Sequence, residues 1–300
     1  MYLAEQLKSS VSCTVRLNEL MSGHTSFKIG GPADILVLPE SIEQLREVLK
    51  VVKETVVPLT LLGNGSNVLV RDKGIRGIVI KLGNMLRHFY EAEDLLVFGS
   101  GYSLALASYK AMECGKTGME FAVGIPGSIG GAVYMNAGAY DGEMQNIVNC
   151  VKVMDLQGNE RVLTAEELNF GYRKTSLQNS GLIVTEVTLK MPSGNKDEIK
   201  SKMDDFSHRR ISKQPLEMPS AGSMFKRPPG YFAGTLIDQA GLKGYTVGGA
   251  QISTKHAGFV VNVGGATAAD VLQLIKDVQT KIKAGVGVEL QPEVLVIGEE

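Results

Sequence analysis

Patterns for metal binding and for disulfides are missing from this 300-residue chain. Its three cysteines, Cys13, Cys114 and Cys150, are widely separated and form no Cys-x-x-Cys pair. They spell out neither a disulfide framework nor a zinc site, and read as reduced thiols. The four histidines, His24, His88, His208 and His256, show no ligand spacing, so no metal is expected. No Gly-x-Ser-x-Gly elbow offers a hydrolase nucleophile. No apolar stretch approaches the roughly 18 residues of a membrane span. The start, MYLAEQLKSS, carries charge where a signal peptide needs an apolar core. A water-soluble, cytoplasmic protein without membrane insertion is expected. An excess of either charge is lacking too: 31 Lys and Arg face 32 Asp and Glu, a net charge of -1. That balance gives no field for gripping a phosphate backbone, so nucleic acid is not an expected partner.

The familiar nucleotide loops are also absent. Gly-x-Gly occurs at 63–65, 99–101 and 285–287, but a dinucleotide fingerprint needs glycine three positions later, where Val68, Leu104 and Leu290 stand. No Gly-x-x-x-x-Gly-Lys-Ser/Thr is present. What the chain has in quantity is glycine, 35 residues gathered in short loops between apolar runs. Two loops stand out, Gly63-Asn64-Gly65-Ser66-Asn67 and the stretch from Gly124 to Ala132. Backbone N–H groups in such loops can converge on a pyrophosphate, and only glycine lets the backbone come that close. Ordinary tight turns explain the same composition, and the residues alone leave both readings open.

Apolar residues at 44% and charged residues at 21% fit a globular protein, and the length suits two or three domains. Ser41 and Gln44 predict a capped helix over 40–54, with Ile42, Leu45, Val48, Leu49 and Val52 on one face. A second capped helix is expected from Thr267 and Asp270, carrying Val271, Leu274, Ile275 and Val278. Helices are also expected at 103–114, 197–210 and 232–239. Strands are expected at 56–62, 77–82, 95–99, 148–155, 182–190 and, last, Val286 to Ile297. The polar turn at Pro192 to Asp197 marks an expected domain boundary. The fold class is α+β.

At the glycine loops the sequence resembles a known family. Thr25 to Asp34 (TSFKIGGPAD), the Gly63 to Asn67 loop, and Gly124 to Ala139 (GIPGSIGGAVYMNAGA) carry the likeness. It continues through Tyr172-Arg173, Ser220 to Lys226 (SAGSMFK), Gly249 to Asn262 (GAQISTKHAGFVVN) and Gln291-Pro292-Glu293. The chain is similar to UDP-N-acetylenolpyruvoylglucosamine reductases (UDP-N-acetylmuramate dehydrogenases), in the shorter, type II branch. There Arg227 stands where the other branch has Asn. The resemblance implies a monomer with an FAD-binding fold of the vanillyl-alcohol oxidase (PCMH) type in two subdomains, joined to a C-terminal α/β substrate-binding domain. It places the FAD-binding domain at 1–195, with a subdomain boundary near 83–100. The substrate-binding domain follows at 196–285, and 286–300 form a C-terminal strand that carries Glu293 back to the active site.

The implied activity is reduction of a UDP-N-acetylglucosamine enolpyruvyl ether by NADPH through non-covalent FAD, in peptidoglycan precursor synthesis for the cell wall. By resemblance, Gly63, Asn64, Gly65, Ser66 and Asn67 line the FAD diphosphate, with Pro126, Gly127, Ser128, Gly130, Gly131 and Ala132. Asn136, Ala137, Gly138 and Ala139 approach the flavin. Arg173 matches the residue that pairs with the substrate carboxylate, its fork suited to two oxygens. Ser223 is the implied proton donor. Glu293 matches the family's catalytic glutamate and is expected to work as a hydrogen-bonding acid, because a bare carboxylate would repel the developing enolate. Tyr172, Lys213, Arg227 and Gln251 are the expected substrate contacts. Two other readings remain open at this stage: an FAD oxidase of the same fold acting on an alcohol or sugar lactone, and a non-catalytic nucleotide-sugar binding protein.

Overall fold

A computed structural model describes residues 2–55, 57–83 and 86–300. Val56, where one strand was expected to begin, and residues 84 and 85, inside the expected subdomain boundary, lie outside the described residues.

Local chemistry sets the helices. Ser41 Oγ accepts from the Gln44 N–H at 3.2 Å, and Gln44 Oε1 in turn accepts from the Glu40 N–H at 2.7 Å. The helix they open, Ile42–Lys53, buries Leu45, Val48, Leu49 and Val51. Thr267 and Asp270 form a full capping box at the start of Ala268–Val286, which buries Val271, Leu274, Ile275, Val278 and Ile282. That helix ends on Gly287 at φ 70, a left-handed cap that glycine adopts without steric cost. Here the expected strand from Val286 to Ile297 gives way to a shorter one, Leu295–Ile297. The helix claims the chain as far as Val286, and 288–294 follow without regular strand pairing.

Packing divides the chain into two compact units. The first comprises Met1–Leu17, Ile35–Asn64 and Ile78–Arg209. One of its cores lies between the helix Ile42–Lys53 and a sheet whose order is Thr14–Leu20, Pro32–Leu38, Ile75–Lys81, Leu59–Leu62. The last two strands pair in parallel. A second core lies under an antiparallel sheet ordered Glu160–Thr164, Val148–Met154, Ile183–Lys190, Leu95–Gly99, Phe89–Ala92. The helices Leu104–Glu113 and Ile129–Tyr134 fill it with Leu104, Ala107, Ala111, Ile129 and Val133.

The second unit comprises Asn18–Asp34, Gly65–Gly77 and Arg210–Glu300. Its antiparallel sheet runs Ser220–Ser223, Phe259–Asn262, Ala250–Ile252, Thr246–Val247. The helices Ala233–Gln239 and Ala268–Val286 pack into its core, together with Phe27, Ile29 and Leu69 from the two early segments. Asp72 fixes one of those segments: its carboxylate accepts from the N–H groups of Ala268 at 2.7 Å and Ala269 at 2.9 Å, a second cap on the long helix. The units therefore interleave segments of chain, whereas the sequence reading divided it into consecutive stretches. Among the described residues, no helix is long and apolar enough to cross a membrane.

Leu274, fully buried in the second unit, offers a direct check on that core. Leu274→Ala is expected to lower unfolding stability by about 2–5 kcal/mol, read by chemical denaturation. A loss under about 0.5 kcal/mol would place Leu274 outside the cooperative core.

Candidate active site

The strand Leu59–Leu62 runs directly into Gly63 and Asn64, and in the same unit Ser128 opens the short helix Ile129–Tyr134. Ser128 Oγ accepts from the Gly131 N–H at 3.3 Å. The amides of Ile129, Gly130 and Ala132 donate to the carbonyls of Tyr102, Ser100 and Ser128. Those N–H groups are engaged inside the protein. Gly130 is glycine for packing: a Cβ there would sit 2.8 Å from Ser100 Cβ. Gly63 and Gly131 differ. A Cβ on either would meet only Ser128 Oγ, at 3.5 and 3.4 Å, and neither has a positive φ. Among the described residues, nothing requires glycine at these two positions. Pro126 is exposed and Ala132 buried beside this turn.

Asn136 to Ala139 are held from below by polar contacts. Asn136 is fully buried and left-handed at φ 43. Its Nδ2 donates to Glu143 Oε2 and to Gly171 O, each at 3.0 Å, and its Oδ1 accepts from the Gln145 N–H at 3.0 Å. The carboxamide thus works as an internal clamp, satisfied on both ends. Gly138–Ala139 pairs with Gly142–Glu143 across a two-residue turn, Tyr140-Asp141, in which both residues have positive φ. The Tyr140 ring stacks on Phe206 at 4.4 Å. Tyr172 and Arg173 form the tip of a second tight turn, closed by reciprocal N–H to carbonyl bonds between Gly171 and Lys174 at 2.9 and 3.1 Å. Arg173 has φ 56, a strained conformation for a residue with a side chain. Its guanidinium donates to the carbonyls of Asn136 at 3.3 Å and Gly138 at 3.0 Å, and lies 5.1 Å over the Tyr172 ring. The Arg173 side chain is therefore tied to the backbone of Asn136 and Gly138, a link the spacing in sequence did not show.

The rest of the first glycine loop belongs to the second unit. Gly65, at φ 70, lies so close to His24 that a Cβ would stand 2.3 Å from its carbonyl. Ser26 N–H donates to Gly65 O at 3.0 Å, and Ser26 Oγ donates to Ser220 O at 2.7 Å. Ser66 O lies 3.4 Å from that same hydroxyl. Ser223 ends the strand Ser220–Ser223, exposed, directly after Gly222 at φ 77. The next residues pair with the chain's last segment: Lys226 N–H donates to Gln291 O and Glu293 N–H to Met224 O, each at 2.8 Å, around a bridge between Phe225 and Pro292. Glu293 is half-buried and lies two residues before the strand Leu295–Ile297, not within a strand beside Glu289 and Gln291. Backbone pairing of 224–226 with 291–293 thus sets Glu293 opposite Met224, the residue after Ser223. Arg173 lies in the other unit.

Of the expected substrate contacts, Arg227 stacks 4.0 Å over the Phe232 ring. Gln251 Nε2 donates to Thr246 Oγ1 at 3.0 Å across its hairpin. Lys213 is exposed at the end of the helix Lys196–Lys213. Two residues not singled out in the sequence lie near one another here, His256 and Lys243, the latter paired with Asp238 at 2.7 Å. His256 is partly buried, its Nδ1 accepting from the Gly258 N–H at 3.1 Å. Burial pushes its imidazole below the ordinary value, and the charges of Lys243 and Lys213 act in the same direction. A Lys-Gly before a hairpin and a Lys-His after it were the available signals, too common to stand out.

Comparisons with known proteins decide the family. A model of the UDP-N-acetylenolpyruvoylglucosamine reductase C-terminal domain matches residues 214–297, and an FAD-binding-domain model matches residues 33–164. The UDP-N-acetylenolpyruvoylglucosamine reductase of Clostridioides difficile (strain 630) is 49% identical over 286 residues, covering 95% of this chain and 94% of its own. The corresponding reductase of Clostridium perfringens (strain SM101 / Type A) is 51% identical over the same lengths. The chain belongs to the UDP-N-acetylenolpyruvoylglucosamine reductase family. The crystal structure of the family member from Thermus caldophilus agrees in fold, with a TM-score of 0.79 at 38% identity, covering 95% of this chain and 98% of that one. As a member of this reductase family, the chain is an oxidoreductase with the FAD-binding fold expected from its sequence.

The glycine loops fit that cofactor. Gly63 and Gly131 both flank Ser128 Oγ with bare Cα positions that packing does not demand. Backbone left bare in this way is what the approach of a diphosphate would require.

His256 gives this site a pH signature. Its folded value lies below the ordinary 6.5, so the neutral ring is the form the fold prefers. The associated stability is present above the ordinary value and is lost as pH falls through it toward the folded one. The denaturation midpoint is expected to drop between pH 7 and pH 5 more steeply in the wild type than in His256→Gln. Equal slopes would remove His256 from this role.

Proposed function

We propose that the chain reduces UDP-N-acetylglucosamine enolpyruvyl ether to UDP-N-acetylmuramate, acting as a cytoplasmic monomer with NADPH as reductant and FAD bound non-covalently. The observation that carries this reading is the pairing of 224–226 with 291–293, which sets Glu293 beside the Ser223 turn. An acid and a hydroxyl carried on paired segments of chain favour a reductase over an oxidase or a silent binding protein.

Bound FAD would supply the redox chemistry, carrying hydride from NADPH to the terminal carbon of the enolpyruvyl group. The chain's own residues meet the charge and supply the proton. Hydride addition leaves an anion on the adjacent carbon, spread into the carboxylate, and a fixed cation stabilises it most where water is excluded. Arg173 is suited to that: its turn is rigid, and its planar fork is permanently charged. Ser223 passes its hydroxyl proton to the carbanionic carbon, completing the new C–H bonds. Glu293 hydrogen-bonds the enolate carboxyl as an acid, so that no second negative charge faces it. Gly63 to Asn64 and Gly127 to Ser128 offer amides to the diphosphate of the cofactor. Lys213, Arg227, Gln251 and Tyr172 serve the UDP-sugar.

The deciding experiment is NADPH consumption without oxygen, with and without the enolpyruvyl substrate. Sustained turnover only with substrate is expected; one flavin bleaching followed by a stall would sink the reductase reading. Ser223→Ala is expected to leave flavin reduction by NADPH unchanged and to slow reoxidation by substrate roughly 100-fold or more. Rapid mixing that returned wild-type reoxidation would end its role as donor. Gly131→Ala is expected to fold normally yet lose FAD affinity by about tenfold or more. Equal flavin titrations for variant and wild type would place the diphosphate elsewhere.

A further inference from the structure

Asn67 belongs to the glycine loop read from the sequence as a diphosphate ligand, yet its side chain is turned to another use. Nδ2 of Asn67 donates to the backbone carbonyl of Glu293 at 3.3 Å. The carbonyl of Asn67 accepts from the Leu295 N–H at 3.0 Å, opening the parallel pairing of Leu295–Ile297 with Val68–Val70. From the opposite side, Met224 O accepts the Glu293 N–H at 2.8 Å. Both backbone polar groups of Glu293 are thereby fixed, one by the Ser223 segment and one by Asn67.

We propose that Asn67 is the positioning residue for the catalytic acid Glu293. This rests on the reading of Glu293 given above. A peptide unit with one partner can swing about its remaining bonds; held at N–H and C=O, residue 293 presents its side chain from one direction only. Asparagine is the residue for this task because its carboxamide carries a donor for the carbonyl, and a carboxylate of the same shape carries none. The backbone bonds of 67 to 295 and of Arg71 N–H to Ile297 O survive any side-chain change, so the strand pair stays formed when the carboxamide is removed. What changes is the aim of Glu293. A misplacement of about 1 Å at a reacting group costs on the order of 100-fold in rate.

The test compares Asn67→Ala, Asn67→Asp, Glu293→Gln and the double variant Asn67→Ala with Glu293→Gln. Flavin content, melting temperature and the two half-reactions are measured for each. In the Asn67 variants we expect wild-type flavin content and wild-type reduction by NADPH, with reoxidation by substrate slowed roughly 10- to 100-fold. In the double variant we expect no slowing beyond Glu293→Gln alone, since a residue acting through another adds nothing once that residue is gone. Flavin loss with normal reoxidation of the loaded fraction would show that Asn67 acts on the cofactor and overturn the proposal. Additive slowing in the double variant would overturn it as well. Should Asn67→Ala fail to fold, the isosteric Asn67→Asp must show the same split between half-reactions. Wild-type reoxidation in Glu293→Gln would instead remove the acid itself, a failure of the functional reading that the single variants distinguish.

Discussion

Backbone pairing of residues 291–297 is the constraint on which the reactive part of the second unit depends. The segment holds no helix and only a short strand, so its position comes from hydrogen bonds to two other pieces of chain, 224–226 on one side and 67–71 on the other, and from Val294 buried in the core of the unit. Each such bond contributes only about 1 kcal/mol net. Several in series nevertheless define a position with little freedom, because each peptide plane fixes the next. Arg71 and Arg76 extend the arrangement beyond the strand, pairing with Glu300 at 2.8 Å and Glu299 at 3.4 Å. These exposed pairs add little stability. They fit the backbone register already set.

On the proposed reading, the first unit brings backbone to a charged group without supplying a charge. Glycine has two separate roles there. At Gly130 the missing side chain lets the helix start sit against Ser100; at Gly63 and Gly131 the missing side chain faces outward beside the Ser128 hydroxyl. The turn that carries Arg173 is rigid for a further reason: the buried Asn136 carboxamide ties it to Glu143 and Gln145 through bonds that would be costly to leave unmade. Strain at Arg173 and at Tyr140-Asp141 is thus tolerated by surroundings that leave no alternative.

Much of this was legible in the sequence where the signal is local. The caps at Ser41 and Thr267, and the apolar faces behind them, appear in the fold with the residues expected of them. The end of the last helix was misread because Val286, Val288 and Leu290 alternate like a strand, while the left-handed cap at Gly287 outweighed that pattern. The role of Asn136 was not visible, since its partners at 143, 145 and 171 have no spacing that sequence alone interprets. The same holds for the link from Glu293 to Asn67, 226 residues apart. Family resemblance singled out these positions; it gave no reason for the chemistry of each.

The interleaving of the second unit also sets an order of events when the chain first folds. Ser26 bonds to Ser220, Phe27 to Asn262 and Asp72 to Ala268, partners separated by 194, 235 and 196 residues. Closing such large loops costs entropy before any contact returns it, so folding dominated by these pairs is slow. During synthesis Phe27, Ile29 and Leu69 leave the ribosome long before the helix Ala268–Val286 that will cover them. Until then they are apolar surface without a cover, the kind of exposure that makes an unfinished chain prone to aggregate.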